Sequence, residues 1–323
     1  MGKTKIVGAL LAILFAAVVA LYSSRFETLR DHLDVSLVWG ILFSQVISLF
    51  SCGFLGARLI AICELPFSRW PAGFNTHVAS VGLNLILPLR LADVVRPFLL
   101  AKFTKLDLAQ CFSVVVVERI SDIIILGAMA TGIASLHYGS VASPYLLVGL
   151  VSLSIAAMAT LYRWGVPIAR RLEKIVDARL NSRIAKFAND CISGLAKAAR
   201  SRRFPVMFGA AILGWTGSIL MVYSLLAIAG SKPVTIAMAA FIFLCTVFGG
   251  LVAVLPAAAG TFHAAGFGGL VLVGYSPAEA VVLATGLHIQ AFLFPALYSL
   301  WSVLSGTWNL GEIRAEIASR RAR

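Results

Sequence analysis

Six ionisable side chains interrupt two otherwise apolar stretches of this chain. LRLADVVRP carries Arg90, Asp93 and Arg96; VVVVERISDIIIL carries Glu118, Arg119 and Asp122. Spacing by three places the first set near one face of a helical turn. Glu118 and Asp122, four apart, share a helix face, and Arg119 lies about 100° round from Glu118. One carboxylate can neutralise an arginine of the first set and leave another guanidinium free for an anion. A planar guanidinium gives a phosphate two charge-assisted hydrogen bonds at once, so a phosphate-bearing ligand is the chemistry these residues fit. An internal salt-bridge lock between the two stretches is equally compatible with the pattern, and one set of residues can serve both ends.

The elements that position these residues follow from composition. With 60% hydrophobic and 13% charged residues over 323 positions, and a mean hydropathy of +0.93, the chain has too little polar surface to cover a soluble globule. It reads as an all-α polytopic membrane protein, a single transmembrane domain over 1–323. Apolar runs long enough to span occur at 6–22, 35–62, 108–136, 144–162, 205–229 and 277–304. The first fits a retained helix better than a cleaved signal peptide, being long and followed by a mixed-charge flank. Ionisable groups inside such runs cost at least about 2.5–3.5 kcal/mol at mid-depth, and persist where they are paired, wet or useful.

Two further apolar segments, 83–103 and 251–273, break at a Leu-Pro pair. The kink residues are Asn84 and Pro88 in the first, Pro256 and Gly260 in the second. Arms of about 12–18 residues around each kink are short for a span, which predicts two re-entrant hairpins beside six spanning helices, or eight spans if the hairpins cross. Matched broken helices in two halves point to a ligand site near the bilayer middle.

Positive charge orients the chain. Lys3 and Lys5 place the N-terminus in the cytoplasm. So do eleven basic residues between positions 163 and 203 for that loop, and four arginines for the tail at 306–323. The loop 163–204 has Ile168, Leu172, Ile175, Val176, Leu180 and Ile184 at near-helical spacing, the pattern of a basic amphipathic helix on an anionic leaflet. Counting crossings puts both ends of the first broken segment inside and both ends of the second outside. Repeat one, 35–136, and repeat two, 205–304, are therefore expected to be inverted copies in an inner membrane, with both termini cytoplasmic.

In the second half the ionisable positions are muted to His263, His288 and Gln290. Matching the Leu-Pro pairs, with one residue inserted before Ser276, sets His288 opposite Arg119. Histidine titrates near neutrality, so this is the natural coupling position; a hydrogen-bonded packing role is the other reading. The five cysteines are scattered without metal-ligand spacing and read as packing residues. With no GxSxG, HExxH or Walker A pattern, no enzyme activity, cofactor, metal or nucleic-acid partner is expected.

At these residues the chain resembles the lysylphosphatidylglycerol synthase transmembrane region family, also called flippase-like domain proteins. The first-half pattern is present as Asn84, Leu87, Pro88, Asp93, Arg96, Glu118, Arg119 and Asp122. The second-half pattern is partly met: Leu255, Pro256 and Gly260 fit, while His263 stands where the family has glutamate and His288 where it has arginine. The resemblance implies handling of anionic or modified lipids, and the aminoacyl-transferase domain of the synthases has no counterpart in this sequence. The expected function is a lipid flippase or lipid-transport protein for an anionic phospho- or polyprenyl-linked lipid. Arg96 and Arg119 would hold the phosphate, with Arg90 at the rim and Asp93, Glu118 and Asp122 balancing charge. The alternative is a non-transporting lipid-binding subunit that scaffolds an envelope lipid- or glycan-modifying enzyme. A membrane transferase using Glu118 or Asp122 as base has no metal or nucleotide motif behind it.

Overall fold

The computed structural model describes residues 34–137, 201–251, 255–306 and the isolated positions 171, 189, 190, 192, 193 and 308. The expected spans 6–22 and 144–162, most of the basic loop and nearly all of the tail lie outside the described residues.

Eight α-helices and no strand occur among the described residues. They are α1 (Val35–Ile62), α2 (Trp70–Asn84), α3 (Leu91–Thr104), α4 (Leu108–His137), α5 (Phe204–Ala229), α6 (Ile236–Leu251), α7 (Thr261–Leu272) and α8 (Pro277–Leu304). Helices α1, α5 and α8 are long and apolar enough to cross a membrane. Helix α4 is longer still at 30 residues but carries Glu118, Arg119 and Asp122. Local chemistry sets the ends. The Asp34 side chain accepts the Val35 N–H at the start of α1, and Ser276 accepts the Glu279 N–H at the start of α8, with Pro277 at the first helical position.

The four long helices match the runs read from the sequence to within a residue at each end. The broken segments differ in extent. Each kink terminates a helix that starts much earlier, at Trp70 and at Ile236, so the hairpins cover 70–104 and 236–272 rather than 83–103 and 251–273. Helix α2 escaped a hydropathy reading because Asn75, Thr76, His77 and Ser80 dilute it. Thr76 and Ser80 return their hydroxyls to backbone carbonyls of their own helix, which lets them lie buried.

Pro88 and Pro256 stand 168 positions apart. Shifting every first-half helix boundary by that number lands within two residues of its second-half counterpart. The kinks match in backbone as well as in sequence. Leu-Pro is followed by two left-handed residues, Leu89 (φ 55°) and Arg90 (φ 53°) in one half, Ala257 (φ 56°) and Ala258 (φ 55°) in the other. Left-handed backbone costs a residue with a Cβ about 1–2 kcal/mol, so neither kink is a relaxed loop.

Packing repeats the correspondence. Contacts α1–α2, α2–α3, α3–α4, α1–α4, α1–α8 and α2–α8 have counterparts α5–α6, α6–α7, α7–α8, α5–α8, α4–α5 and α4–α6. Helices α1 and α5 form the largest contact and run antiparallel. Gly40 lies against Leu225, Ser51 against Gly214 and Gly217, and Arg203 donates to the Leu65 carbonyl. Small residues bring these backbones together, the usual way membrane helices gain packing without a hydrophobic drive between them.

Candidate functional site

A buried charge cluster joins α1, α2, α3 and α4. Glu118 Oε1 accepts from Arg58 Nη2 at 2.5 Å and from Arg96 Nη2 at 2.6 Å. Asp122 Oδ1 accepts from Arg58 Nη1 and, at 2.9 Å, from the Trp215 indole on α5. Arg96 also donates to Ser80 Oγ at 2.7 Å and contacts His77 Nδ1 at 3.1 Å. A guanidinium only donates, so Nδ1 accepts and His77 is a neutral ring with its proton on Nε2.

An outer layer is less buried. Asp93 bridges two arginines, taking Arg90 Nε on Oδ2 and Arg119 Nη2 on Oδ1, each at 3.2 Å; Arg119 Nη1 reaches Asp122 Oδ2 at 3.4 Å. Exposure separates the layers. The Arg58 and Glu118 side chains are 1% and 0% exposed, whereas Arg90 and Arg119 are 31% and 39% exposed.

The cluster borders one cavity of about 600 Å³ between the halves, which Arg90 and Arg119 of the outer layer and His77 and Asp122 of the inner layer line. Arg90, Arg119, Asp122, His77 and Asn84 form its polar side, and the rest is mostly apolar, with Phe243, Phe248, Phe262 and Phe292 among its walls. Counting four guanidiniums against three carboxylates leaves the cluster one positive charge in excess. Arg90 closes one edge by donating to the Gly250 carbonyl of α6 at 3.3 Å, so the two hairpins touch through this side chain.

The six residues read from the sequence thus assemble, but in divided roles. Arg96 and Glu118, expected to contact the ligand or balance it directly, sit behind the cavity wall and belong to the lock. Arg90 and Arg119 reach the cavity, and Asp93 holds them in place. Arg90, Asp93 and Arg96 do not act as one face: Arg90 precedes α3 in left-handed backbone and reaches both Asp93 and the Gly250 carbonyl of α6, while Arg96 turns into the buried lock with Glu118.

Arg58 was missed. It lies four residues from the end of an apolar helix, and its charge inside a 28-residue span was the available signal. Ser80 and Trp215 carry no such mark, since each is ordinary in an apolar helix, and His77 lies among the polar residues that keep α2 from reading as a span.

In the second half, Leu287, Gln290, Ala291 and Pro295 line the cavity where Arg119, Asp122, Ile123 and Gly127 line it in the first, each pair 168 apart. No inserted residue is needed, so Leu287 and not His288 stands opposite Arg119. His288 lies one position further round and is not on the lining. Its Nε2 donates to the Ala257 carbonyl at 2.9 Å, and its ring packs against His263 (4.4 Å between centroids), Phe262 and Phe292. This histidine fastens α8 to the second kink. Gly260, at φ 89° and ψ −63°, has a backbone that a side chain would strain as the chain enters α7.

Among the described residues no group of three or more His, Cys, Asp or Glu could hold a metal ion. What the fold and site define is a helical membrane protein whose two corresponding halves enclose an apolar cavity with an arginine-lined end. The family model described as the lysylphosphatidylglycerol synthase TM region matches residues 6–299, and the chain belongs to that family. No curated protein and no solved structure matches it. Membership makes it a membrane protein related to lipid handling.

Proposed function

We propose that this chain is an inner-membrane lipid flippase or lipid-transport protein, with both termini cytoplasmic, that carries an anionic phosphate-bearing lipid through its central cavity. The observation that carries this reading is the half-buried pair Arg90 and Arg119, in a cluster with one positive charge in excess, at the end of a mostly apolar cavity. A phosphate there gains charge-assisted bonds, and acyl or prenyl chains fit the apolar walls. Arg58 and Arg96 keep Glu118 and Asp122 neutralised, so the site's excess charge stays available.

The architecture supports alternating access. Helices α2, α3 and α7, at 15, 14 and 12 residues, fall short of the roughly 20 needed to span. The antiparallel packing of the corresponding helices α1 and α5 is what an inverted repeat requires. A phosphate arriving at Arg90 competes with the Gly250 carbonyl and frees one hairpin from the other. No step makes or breaks a covalent bond, so the reading is a transporter and not an enzyme.

Liposomes carrying a tail-labelled fluorescent phosphatidylglycerol test this, with dithionite quenching reporting which leaflet holds the label. Wild type is expected to speed transbilayer exchange, and Arg119→Ala to slow it at least about tenfold, the loss of a charge-assisted bond. Folded wild type that neither moves the label faster than empty liposomes nor retains anionic lipid would overturn the reading. Retention without movement would favour the scaffold for an envelope lipid- or glycan-modifying enzyme. One observation leans that way: Gly286 and Leu287 stand where the first half has Glu118 and Arg119, so only one half offers charge to the ligand.

A further inference from the structure

We propose that Gln290 is a second ligand contact in this cavity, accepting a hydrogen bond from a hydroxyl or amide N–H on the headgroup of the lipid. The inference rests on the reading that Arg90 and Arg119 hold that lipid's phosphate. Gln290 is 2% exposed, lines the cavity, and has no hydrogen-bond partner on Oε1. Asn84, at the end of α2 in the first hairpin, lines the same cavity and also has an unpartnered carboxamide oxygen.

The corresponding first-half residue makes the vacancy specific. Asp122 takes donors from Arg58, Arg119 and Trp215. Gln290, 168 positions later, has no donor for its oxygen from any described residue. Its backbone is held nonetheless: Gln45 Nε2 donates to the Gln290 carbonyl at 3.4 Å, and Gln45 Oε1 accepts the Phe294 N–H at 3.0 Å. Those two bonds clasp α8 beside Pro295, which has no N–H for the helix ladder. The turn that carries the carboxamide is thus fixed, and a buried acceptor left unpaired is unfavourable until a donor arrives.

The chemistry selects the headgroup. A hydroxylated or amide-bearing phosphodiester supplies both the anion and the donor, and a quaternary ammonium supplies no donor at all. A site with a buried polar group rejects an analogue lacking its complement.

The test uses the full chain in phosphatidylcholine nanodiscs doped with phosphatidylglycerol and phosphatidylmethanol, which share one charge and differ in hydroxyls. Native mass spectrometry reads the lipids retained. Wild type is expected to enrich phosphatidylglycerol over phosphatidylmethanol about tenfold. Gln290→Met should erase that preference and still enrich both anions over phosphatidylcholine, whereas Arg119→Ala should lose enrichment of both. Equal enrichment of the two anions by wild type overturns the role of Gln290 and leaves the arginine reading standing, a result that needs no variant to fold. A preference that survives Gln290→Met overturns it as well. No enrichment of either anion over phosphatidylcholine overturns the arginine reading, and this inference with it.

Discussion

Replacing Arg58 and Arg119 separately by methionine should split stability from binding. Arg58 is 1% exposed and serves both Glu118 and Asp122. Without it Glu118 keeps only Arg96 on Oε1, and its Oε2 already has no partner among the described residues. Removing one member of a buried ion pair leaves an uncompensated charge and costs about 3–5 kcal/mol. Arg119 is 39% exposed, with ion-pair distances of 3.2 and 3.4 Å, and solvent screens such pairs to below about 1 kcal/mol. Unfolding in mixed micelles of rising dodecyl sulfate fraction measures the first quantity, and anionic lipid retained through purification measures the second. Arg58→Met should unfold much earlier than wild type, while Arg119→Met should unfold near wild type and lose its lipid. Adding Asp122→Asn to Arg58→Met removes one charge of each sign and keeps an acceptor for Trp215, so the double variant should recover part of the loss through coupling of the pair. An Arg58→Met protein within about 1 kcal/mol of wild type, or an Arg119→Met protein destabilised more than Arg58→Met, would refute the division into lock and site.

The remaining predictions concern how the hairpins are held. A Cβ on Gly73 would sit 2.2 Å from the Gly56 carbonyl oxygen, so Gly73→Ala must separate α1 from α2 and should cost about 1–3 kcal/mol in the same micelle titration; an unchanged midpoint would mean these helices pack less closely. His288→Phe keeps an aromatic ring against Phe262 and Phe292 but loses the bond to the Ala257 carbonyl, at about 1 kcal/mol. Amide hydrogen exchange in residues 257–264 should then run several-fold faster, and unchanged protection would show that His288 does not fasten the kink.

Much of the fold was legible before any packing was known. The ends of α1, α4, α5 and α8 follow from run length and from caps such as Asp34 and Ser276, which act locally. The kinks follow from Pro88 and Pro256, since a missing N–H interrupts a helix whatever surrounds it. Helix α2 was legible only in its last residues. Thr76, His77 and Ser80 find partners within the helix or on Arg96, and Asn75 accepts from the Tyr298 hydroxyl of α8, compensation that is invisible to a hydropathy reading.

The candidate site was legible in kind and not in arrangement. Charge in an apolar run identifies Arg90, Asp93, Arg96, Glu118, Arg119 and Asp122 as a set, because their cost in a membrane does not depend on the fold. The same rule applied to Arg58 would have added the residue that holds the lock together. The pairing of His288 with Arg119 failed by one position, since chemical likeness between two cations outweighed the helix register.

By itself the sequence determined the class of protein, the long helices, the kinks and the charged residues, all consequences of hydropathy and local backbone chemistry. Only the tertiary structure decided which arginines face the cavity and which are sealed behind it. Burial is a property of neighbouring helices: α1 brings Arg58 against Glu118, α5 brings Trp215 against Asp122, and no spacing within one segment specifies either approach. It also left Gln290 unpaired where its counterpart Asp122 is saturated, since α4 faces Arg58 and Trp215 at that position and α8, among the described residues, faces no donor for the Gln290 oxygen.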